Sequence, residues 1–411
     1  MPNADRLATL AEFPFRRLAA LLAGVEPGQG GAPAADLSIG EPKHAPPPLL
    51  AETVAANAHL WNRYPPVGGT PEFRAAVAGW LERRFGLPGG AVDPERNVLP
   101  LAGTKEGLFL LPAALPPAAA GRGDGRPPAV LMPNPVYAVY YGAAVMAGCE
   151  PVLMPAARET GFLPDLDALP ADLLARTALL HLCSPANPQG AIADGAYLDR
   201  AVALAREHGF VLAVDECYSE IFDREPPPGA LEAALRDGGD FRNVLDFNSL
   251  SKRSSAAGLR SGFVAGDPAL LARLMRLRAY AAAVQPLPLM AAAAALWRDE
   301  GHVAESQARY RAKIDAAEQA LEGRLGFYRP AGGFFLWLNV GDGEAASLRL
   351  WREAGIKTLP GAYLGAAPDG SPNPGDPYLR VALLDEPEQL TRSLARLAAV
   401  LTTSSSSAAA A

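Results

Sequence analysis

Three short apolar runs in this chain end in residues that do chemistry. Phe210-Val211-Leu212-Ala213-Val214 delivers Asp215. Leu179-Leu180-His181-Leu182-Cys183 runs into Ser184-Pro185-Ala186-Asn187-Pro188-Gln189-Gly190, and Asn243-Val244-Leu245-Asp246-Phe247 leads to Ser249-Leu250-Ser251-Lys252, with Arg260 eight positions on. Apolar runs of this length, bounded by turn residues, read as strands. A lysine amine at a strand end can attack a carbonyl while a fixed arginine nearby anchors an anion such as a phosphate, which is what a Schiff-base lysine needs. Taken alone, Lys252-Arg253 reads more readily as a solvated surface loop. The other two strand ends favour the chemical reading.

The elements that position these residues follow from the pattern between them. From about Tyr197 to His208 the spacing predicts a helix with a polar side at Arg200 and Arg206, closed by Gly209. Strand, helix, strand is a parallel crossover unit, and ligands of parallel sheets sit beyond the carboxyl ends of the strands. Asn187, Asp215 and Lys252 are therefore expected to converge. Leu101-Ala102-Gly103-Thr104-Lys105-Glu106-Gly107 joins a strand to the start of a helix, whose free N–H groups and dipole attract an anion. An ordinary threonine N-cap fits the same residues. Gly121-Arg122-Gly123-Asp124-Gly125-Arg126 precedes a strand instead of opening a helix, so it reads as a surface loop rather than a phosphate cradle.

The set Asn187-Pro188-x-Gly190, Asp215-x-x-Tyr218 and Ser249-x-x-Lys252 with Arg260 resembles that of the class I/II aminotransferases, pyridoxal-phosphate enzymes of fold type I. The resemblance extends from Leu37-Ser38-Ile39-Gly40-Glu41-Pro42 to Tyr378-Leu379-Arg380-Val381-Ala382. It implies an α/β fold with a large domain, built on a mostly parallel central sheet between helices, and a smaller α+β domain. The implied boundaries are residues 1–48 for an N-terminal arm and part of the small domain, 49–290 for the cofactor domain, 291–401 for the small domain, and a disordered tail over 402–411.

The resemblance also implies roles. Lys252 would carry pyridoxal 5'-phosphate as a Schiff base and move the substrate's α-proton, in ping-pong transamination. Asp215 would pair with the pyridine nitrogen, Asn187 and Tyr218 would bond its phenolic oxygen, and Tyr137 would stack on the ring. Gly103, Thr104, Lys105, Ser249 and Arg260 would hold the phosphate. Tyr64 resembles the tyrosine that reaches the neighbouring subunit's phosphate, so a homodimer is expected. Arg380 matches the arginine that grips the substrate α-carboxylate bidentately, and Gly40 would let backbone approach the substrate. Gln189 replaces the family's usual threonine; with Asn187 intact, unchanged chemistry is expected.

Substrate is read from Glu12–Leu18, Leu37–Lys43, Ser249–Ser254 and Arg260–Asp267, which look most like bacterial succinyldiaminopimelate aminotransferases of lysine biosynthesis. Glutamate and 2-oxoglutarate would then be the second amino and oxo-acid pair. Lys43 is either a contact for a distal carboxylate or a solvated lysine. The same constellation serves aspartate or broad-specificity aminotransferases, carbon–sulfur β-lyases and effector-binding domains of transcription regulators; about 35 residues precede Leu37, too few for a DNA-binding module.

Composition agrees with this. The 411 residues exceed a usual single domain, 20% are charged, 49% are hydrophobic, and the net charge of -7 argues against a nucleic-acid partner. Cys149, Cys183 and Cys217 form no CxxC pair, which suits a reducing cytoplasmic setting and small buried apolar roles. The five histidines lack ligand spacing, so no metal is expected, and His181 is expected to be a hydrogen-bonded core residue. No run is long enough to span a membrane, and Asp5, Arg6 and Glu12 do not read as a secretory signal.

Overall fold

The computed structural model describes residues 5–28, 33–115, 126–281, 283–367, 370 and 372–402. The loop expected over 121–126 and the tail expected over 402–411 lie outside them, save for Arg126 and Thr402. Thr402 is the last residue of a helix that begins at Pro387.

In chain order the strands are β1 (Ala35–Asp36), β2 (Val98–Leu101), β3 (Ala129–Asn134), β4 (Glu150–Pro155), β5 (Thr177–Cys183), β6 (Val211–Asp215), β7 (Val244–Ser249), β8 (Gly262–Gly266), β9 (Phe335–Asn339), β10 (Ile356–Lys357), β11 (Leu359–Pro360) and β12 (Tyr378–Ala382). A seven-stranded sheet has the order β2-β8-β7-β6-β5-β3-β4. Only β8 runs against the others. Its central strands β6, β7 and β8 are buried along their whole length, as expected where helices cover both faces of a parallel sheet.

Side-chain alternation splits the core in two. Leu180, Leu182, Leu212 and Val214 face one helical layer together with Trp80, Phe263 and Trp297. Leu179, Val211, Ala213, Leu245 and Phe247 face the other, with Leu108, Tyr140 and Leu274. Asp215 continues the parity of Val211 and Ala213, and so emerges on the second face at the carboxyl edge.

The crossover from β5 to β6 is the helix Gly195–His208, two residues longer at its start than the sequence pattern predicts. The Asp194 carboxylate accepts the Tyr197 N–H at 2.8 Å and caps the first turn, and Gly209 ends the helix at φ 70°. A second sheet, β11-β12-β9, is antiparallel. Its apolar side chains Leu336, Leu379 and Val381 share a core with Ile314, Leu350, Leu394 and Leu397 of helices Gly301–Leu321, Gly343–Ala354 and Pro387–Thr402. β1 pairs with β10, and Leu37 bonds both Lys357 and Ala382, so the segment leading to Gly40 lies against β12.

The turn after β7 is clamped in place. The Arg253 side chain is fully buried; it donates to Leu296 O at 2.7 Å and Glu300 Oε1 at 2.8 Å and lies 5.1 Å from the Trp297 ring centre. Ser254 Oγ meets His302 Nε2 at 2.8 Å, and His302 Nδ1 in turn meets Asp299. Both residues flanking the turn's lysine side are thereby tied to the junction of helices Leu287–Arg298 and Gly301–Leu321. Among the described residues no helix is long and apolar enough to cross a membrane.

Trp297 is the keystone of this clamp, with ring centres 4.7 Å from Trp80 and 5.1 Å from Phe263. Trp297→Ala should cost about 3–5 kcal/mol of stability, read as a lower urea midpoint by circular dichroism. An unchanged midpoint would contradict the packing argument.

Candidate active site

The three strand ends do converge. Cys183 lies opposite Asp215 in the β5–β6 pairing, Asp215 opposite Phe247 in β6–β7, and Ser249 opposite Gly262 in β7–β8. The chain segments that continue from β5 and β7 therefore carry Asn187 and Lys252 to the edge where Asp215 ends β6. A cavity of about 340 Å³ opens there. Of the sequence-predicted residues, Gly40, Thr104, Lys105, Tyr137, Asn187, Asp215, Tyr218, Ser249, Lys252, Arg260 and Arg380 line it. Gly103 and Tyr64 do not: Gly103 stands just behind Thr104, and the Tyr64 side chain is fully exposed.

At one end the groups suit a phosphate. Helix Thr104–Ala114 begins at Gly103, whose φ is 81° and where a Cβ would sit 2.3 Å from Arg260 Nη2. Only glycine allows both that turn and that approach. Arg260, itself left-handed at φ 51°, donates to Ala257 O at 3.0 Å and Ala102 O at 3.3 Å, which aims its guanidinium across the helix start. Ser249 is buried, and its Oγ accepts the Ser251 N–H at 2.9 Å. The Thr104 hydroxyl meets Cys217 Sγ at 3.2 Å, and burial pushes that thiol's pKa up, consistent with an inert cysteine.

In the middle stands Asp215. Its Oδ2 accepts the Tyr140 hydroxyl at 2.8 Å and its Oδ1 the Cys217 N–H at 3.3 Å, while burial raises its pKa. Among the described residues it forms no ion pair. Tyr140 stacks on His181, centres 4.4 Å apart and planes within 5°, and meets Tyr137 edge-on at 5.4 Å. His181 corrects an expectation: it is buried, but neither ring nitrogen has a hydrogen-bond partner. Burial holds its pKa down at about 3, so it is a neutral stacking plate behind Tyr140.

Lys252 Nζ donates to Gly40 O and lies 5.3 Å from the Phe334 ring centre. Burial, with the Arg380 cation assisting, lowers its pKa to about 8. Arg380, on β12, is buried against Phe335, its Cζ 4.3 Å from the ring centre. It donates to Asn187 Oδ1 at 3.2 Å and Ser38 O at 2.8 Å, while its Nε has no partner. Burial lowers its pKa to about 10, and among the described residues no carboxylate pairs with it.

For Tyr140, one turn after Tyr137, the sequence left core packing and a role at the site equally open; it lines the cavity and bonds Asp215. Phe15 had no local signal: helix Pro14–Leu21 reaches the site because Leu18 packs on Leu359 and Tyr363 while Arg17 lies 4.0 Å over the Tyr363 ring.

Residues 33–397 match the family model for aminotransferase class I and II. The chain is 34% identical to the LL-diaminopimelate aminotransferase of Syntrophobacter fumaroxidans, over 96% of this chain and 98% of that protein. It is 35% identical to a 4-dedimethylamino-4-oxo-anhydrotetracycline transaminase of Streptomyces rimosus, over 88% and 92% of the two chains. A probable N-succinyldiaminopimelate aminotransferase from Thermus thermophilus superimposes with a TM-score of 0.81 at 28% identity, over 94% of this chain and all of that one.

Aminotransferases of this family use pyridoxal phosphate, and the cavity fits it. Lys105, Lys252, Arg260 and Arg380 face a single lining carboxylate, Asp215, so the site is short of the negative charge that a phosphate and a substrate carboxylate bring. Asp215, buried and without a cation, suits a protonated ring nitrogen. A flat ring has Tyr137 for a neighbour.

A lysine amine is nucleophilic only when unprotonated, and Lys252 reaches half-deprotonation near 8 instead of 10.5. Uptake of pyridoxal phosphate by the apoenzyme, followed by visible absorbance, should therefore accelerate as pH rises through about 8 and level off above it. A midpoint near that of an exposed lysine would contradict the burial argument. Lys252→Ala should lose the pH-sensitive band and nearly all turnover.

Proposed function

The chain belongs to the class I and II aminotransferase family and is a pyridoxal-phosphate enzyme, and from that premise we propose that it transaminates a diaminopimelate-type amino acid, with glutamate and 2-oxoglutarate as the second pair. The observation that carries the reading is Arg380: a buried guanidinium that lines the cofactor cavity, bonded to Asn187 and, among the described residues, without a carboxylate of its own. A planar fork in that state suits a bidentate α-carboxylate.

Bound in the cavity, pyridoxal phosphate supplies an aldehyde that condenses with amines and a ring that accepts the electron pair left at a deprotonated carbon. Lys252 Nζ, its proton affinity lowered by burial, would take the proton from the substrate Cα and hand it to the cofactor carbon that carries the aldehyde, with the reverse transfer serving the second oxo acid. Asp215, fixed by Tyr140 and Cys217, would hold the proton on the ring nitrogen. Asn187 and Tyr218 would bond the ring's phenolic oxygen and Tyr137 would lie against the ring, while Thr104, Ser249, Arg260 and the amides after Gly103 would hold the phosphate. Phe334 and Phe335 exclude water beside Lys252 and Arg380.

We assign residues 49–290 to a cofactor domain and 1–48 with 291–401 to a smaller one. We also assign a homodimer: Trp61, Tyr64, Met275 and Tyr280 are large, exposed and partly apolar, and Tyr64 would reach the partner subunit's phosphate. The three free cysteines suit a cytoplasmic enzyme.

For the distal half of the substrate, the names of the Syntrophobacter and Thermus relatives support diaminopimelate, free or N-succinylated; the N-succinylated form is our reading from the sequence. The apolar wall of Phe15, Phe162, Leu163 and Pro164 favours a second reading, a bulky ring-bearing oxo compound like that named for the Streptomyces relative.

A panel of amino donors against 2-oxoglutarate, followed by glutamate formation, tests the assignment. The specificity constant for N-succinyldiaminopimelate should exceed that for aspartate and for aromatic amino acids. A higher value for aspartate would end the substrate assignment and leave the aminotransferase intact, whereas pyruvate release would mark a β-lyase. Arg380→Lys should cost about 2–5 kcal/mol in kcat/KM. Asp215→Asn should slow Cα-proton removal on the order of 100-fold or more with the circular dichroism spectrum unchanged; wild-type single-turnover rates would refute its role.

A further inference from the structure

Asn134 joins two sides of the site. It is the last residue of β3, buried, and stands between Pro133 and Pro135, which line the cavity, with Tyr137 three positions on. Its Nδ2 donates to Ala366 O at 2.9 Å, and its Oδ1 accepts the Ala366 N–H at 3.2 Å. A carboxamide offers donor and acceptor side by side, so one side chain pairs with one residue's backbone much as a neighbouring strand would. Two residues on, the Val136 N–H donates to Leu364 O at 2.7 Å. The seven-stranded sheet is thereby fastened to residues 361–367, which follow β11.

That segment is tied to the other side of the cavity. β11 pairs with β12 and places Leu359 opposite Arg380. Leu364 packs with Leu18, Leu359 and Tyr363, and the Arg17 guanidinium lies 4.0 Å over the Tyr363 ring. Arg17 and Leu18 belong to the helix Pro14–Leu21, which brings Phe15 to the cavity. Asn373 holds the segment from behind, its Nδ2 donating to Ala362 O at 3.0 Å. Gly365 sits between the two asparagines: a Cβ there would lie 2.1 Å from Asn373 Oδ1 and 3.1 Å from Asn134 Oδ1. The Tyr137 wall and the Arg380–Phe15 wall therefore meet through Asn134, a residue that neither the cofactor roles nor the substrate roles employ.

We propose that Asn134 is a positioning residue: its paired bond with Ala366 holds Arg380 and Phe15 at a set distance from Tyr137, and thereby governs how tightly the site holds a carboxylate ligand. Breaking the pair frees residues 361–367 from the seven-stranded sheet and loosens the helix Pro14–Leu21 seated on them, a local opening that leaves both sheets folded. The inference rests on the reading of Arg380 as the carboxylate site. It adds what keeps that arginine in register with the cofactor face of the cavity.

The test compares the holoenzymes of the wild type, Asn134→Asp and Asn134→Ala. In Asn134→Asp a carboxylate oxygen replaces the Nδ2 donor and faces Ala366 O; in Asn134→Ala both bonds are lost. Two neutral hydrogen bonds correspond to roughly 5-fold to 100-fold in an opening equilibrium. Under native conditions trypsin should cut both variants after Arg16 or Arg17 faster by a factor in that range, with the rest of the chain intact. Pentanoate, an unreactive acid followed by the absorbance of the bound cofactor, should bind both more weakly by a factor in the same range. Gly365→Ala should reproduce the two changes from the opposite side of the segment. Wild-type cleavage rates or a wild-type pentanoate affinity in the variants would each overturn the proposal. So would cuts spread over the whole chain with a lowered urea midpoint, which would mark a merely structural asparagine. If pentanoate leaves the wild-type absorbance unchanged, the reading of Arg380 fails instead, and the tryptic cut at Arg16 or Arg17 still decides the role of Asn134.

Discussion

Opposite charges that share one cavity without meeting are the constraint on which the rest of the structure depends. Among the described residues Asp215 is a buried carboxylate with no ion pair, and Arg380 is a buried guanidinium bonded to an amide oxygen and a backbone carbonyl. Left alone, each carries a desolvation cost of several kcal/mol. Their mutual neutralisation would remove the site, and the fold prevents it: Asp215 ends a strand of the seven-stranded sheet, whereas Arg380 sits mid-strand in the three-stranded one, between Leu359 and Trp337. On the proposed roles, cofactor and substrate would supply the missing charges. Part of the energy that binds them is therefore already present as unpaired charge in the folded chain, and a loaded site stabilises the native state by linkage.

The sheet protects Asp215 from the rear as well. Asp246 lies opposite Val214 on β7, and Glu216 has the same parity, so both point to the face away from the cofactor cavity. Burial raises the pKa of both. Glu216 accepts the Ala230 N–H at 2.7 Å, but its second oxygen and both Asp246 oxygens have no partner. Burial and the neighbouring carboxylates favour the protonated form of both groups. Holding them neutral avoids three adjacent anions and leaves Asp215, the one of the three that accepts both a hydroxyl and an N–H while facing Lys252, as the carboxylate available for chemistry.

Much of this was legible in the sequence, for a physical reason. Strands of a parallel sheet are continuous apolar runs, so Asp215, Lys252 and the Asn187 turn stand out as interruptions at their ends, and the crossover helix declares itself through Arg200, Arg206 and Gly209. What escaped depends on contacts across the chain. The Tyr140 hydroxyl bond to Asp215 spans 75 positions, the partnerless state of His181 follows from packing on Tyr140, and Phe15 enters through an arm docked on Tyr363. None of these leaves a periodic trace.

On the proposed roles, chemistry and selectivity fall to different parts of the molecule. Lys252, Asp215 and the phosphate turn are anchored in the sheet and clamped by Arg253, Ser254 and Tyr140, where a shift of a fraction of an ångström would misalign proton transfer. The wall beyond Arg380 is assembled from an N-terminal helix and from Phe162 held in a left-handed conformation at φ 63°, neither of which the sheet register dictates. Such segments can change side chains without disturbing the strand ends. Two relatives about equally similar to this chain, at 34% and 35% identity, bear the names of transaminases for an acyclic diamino acid and a tetracyclic ketone, an outcome that follows when the reacting centre is built into the sheet and the recognition of the distal group is built onto it.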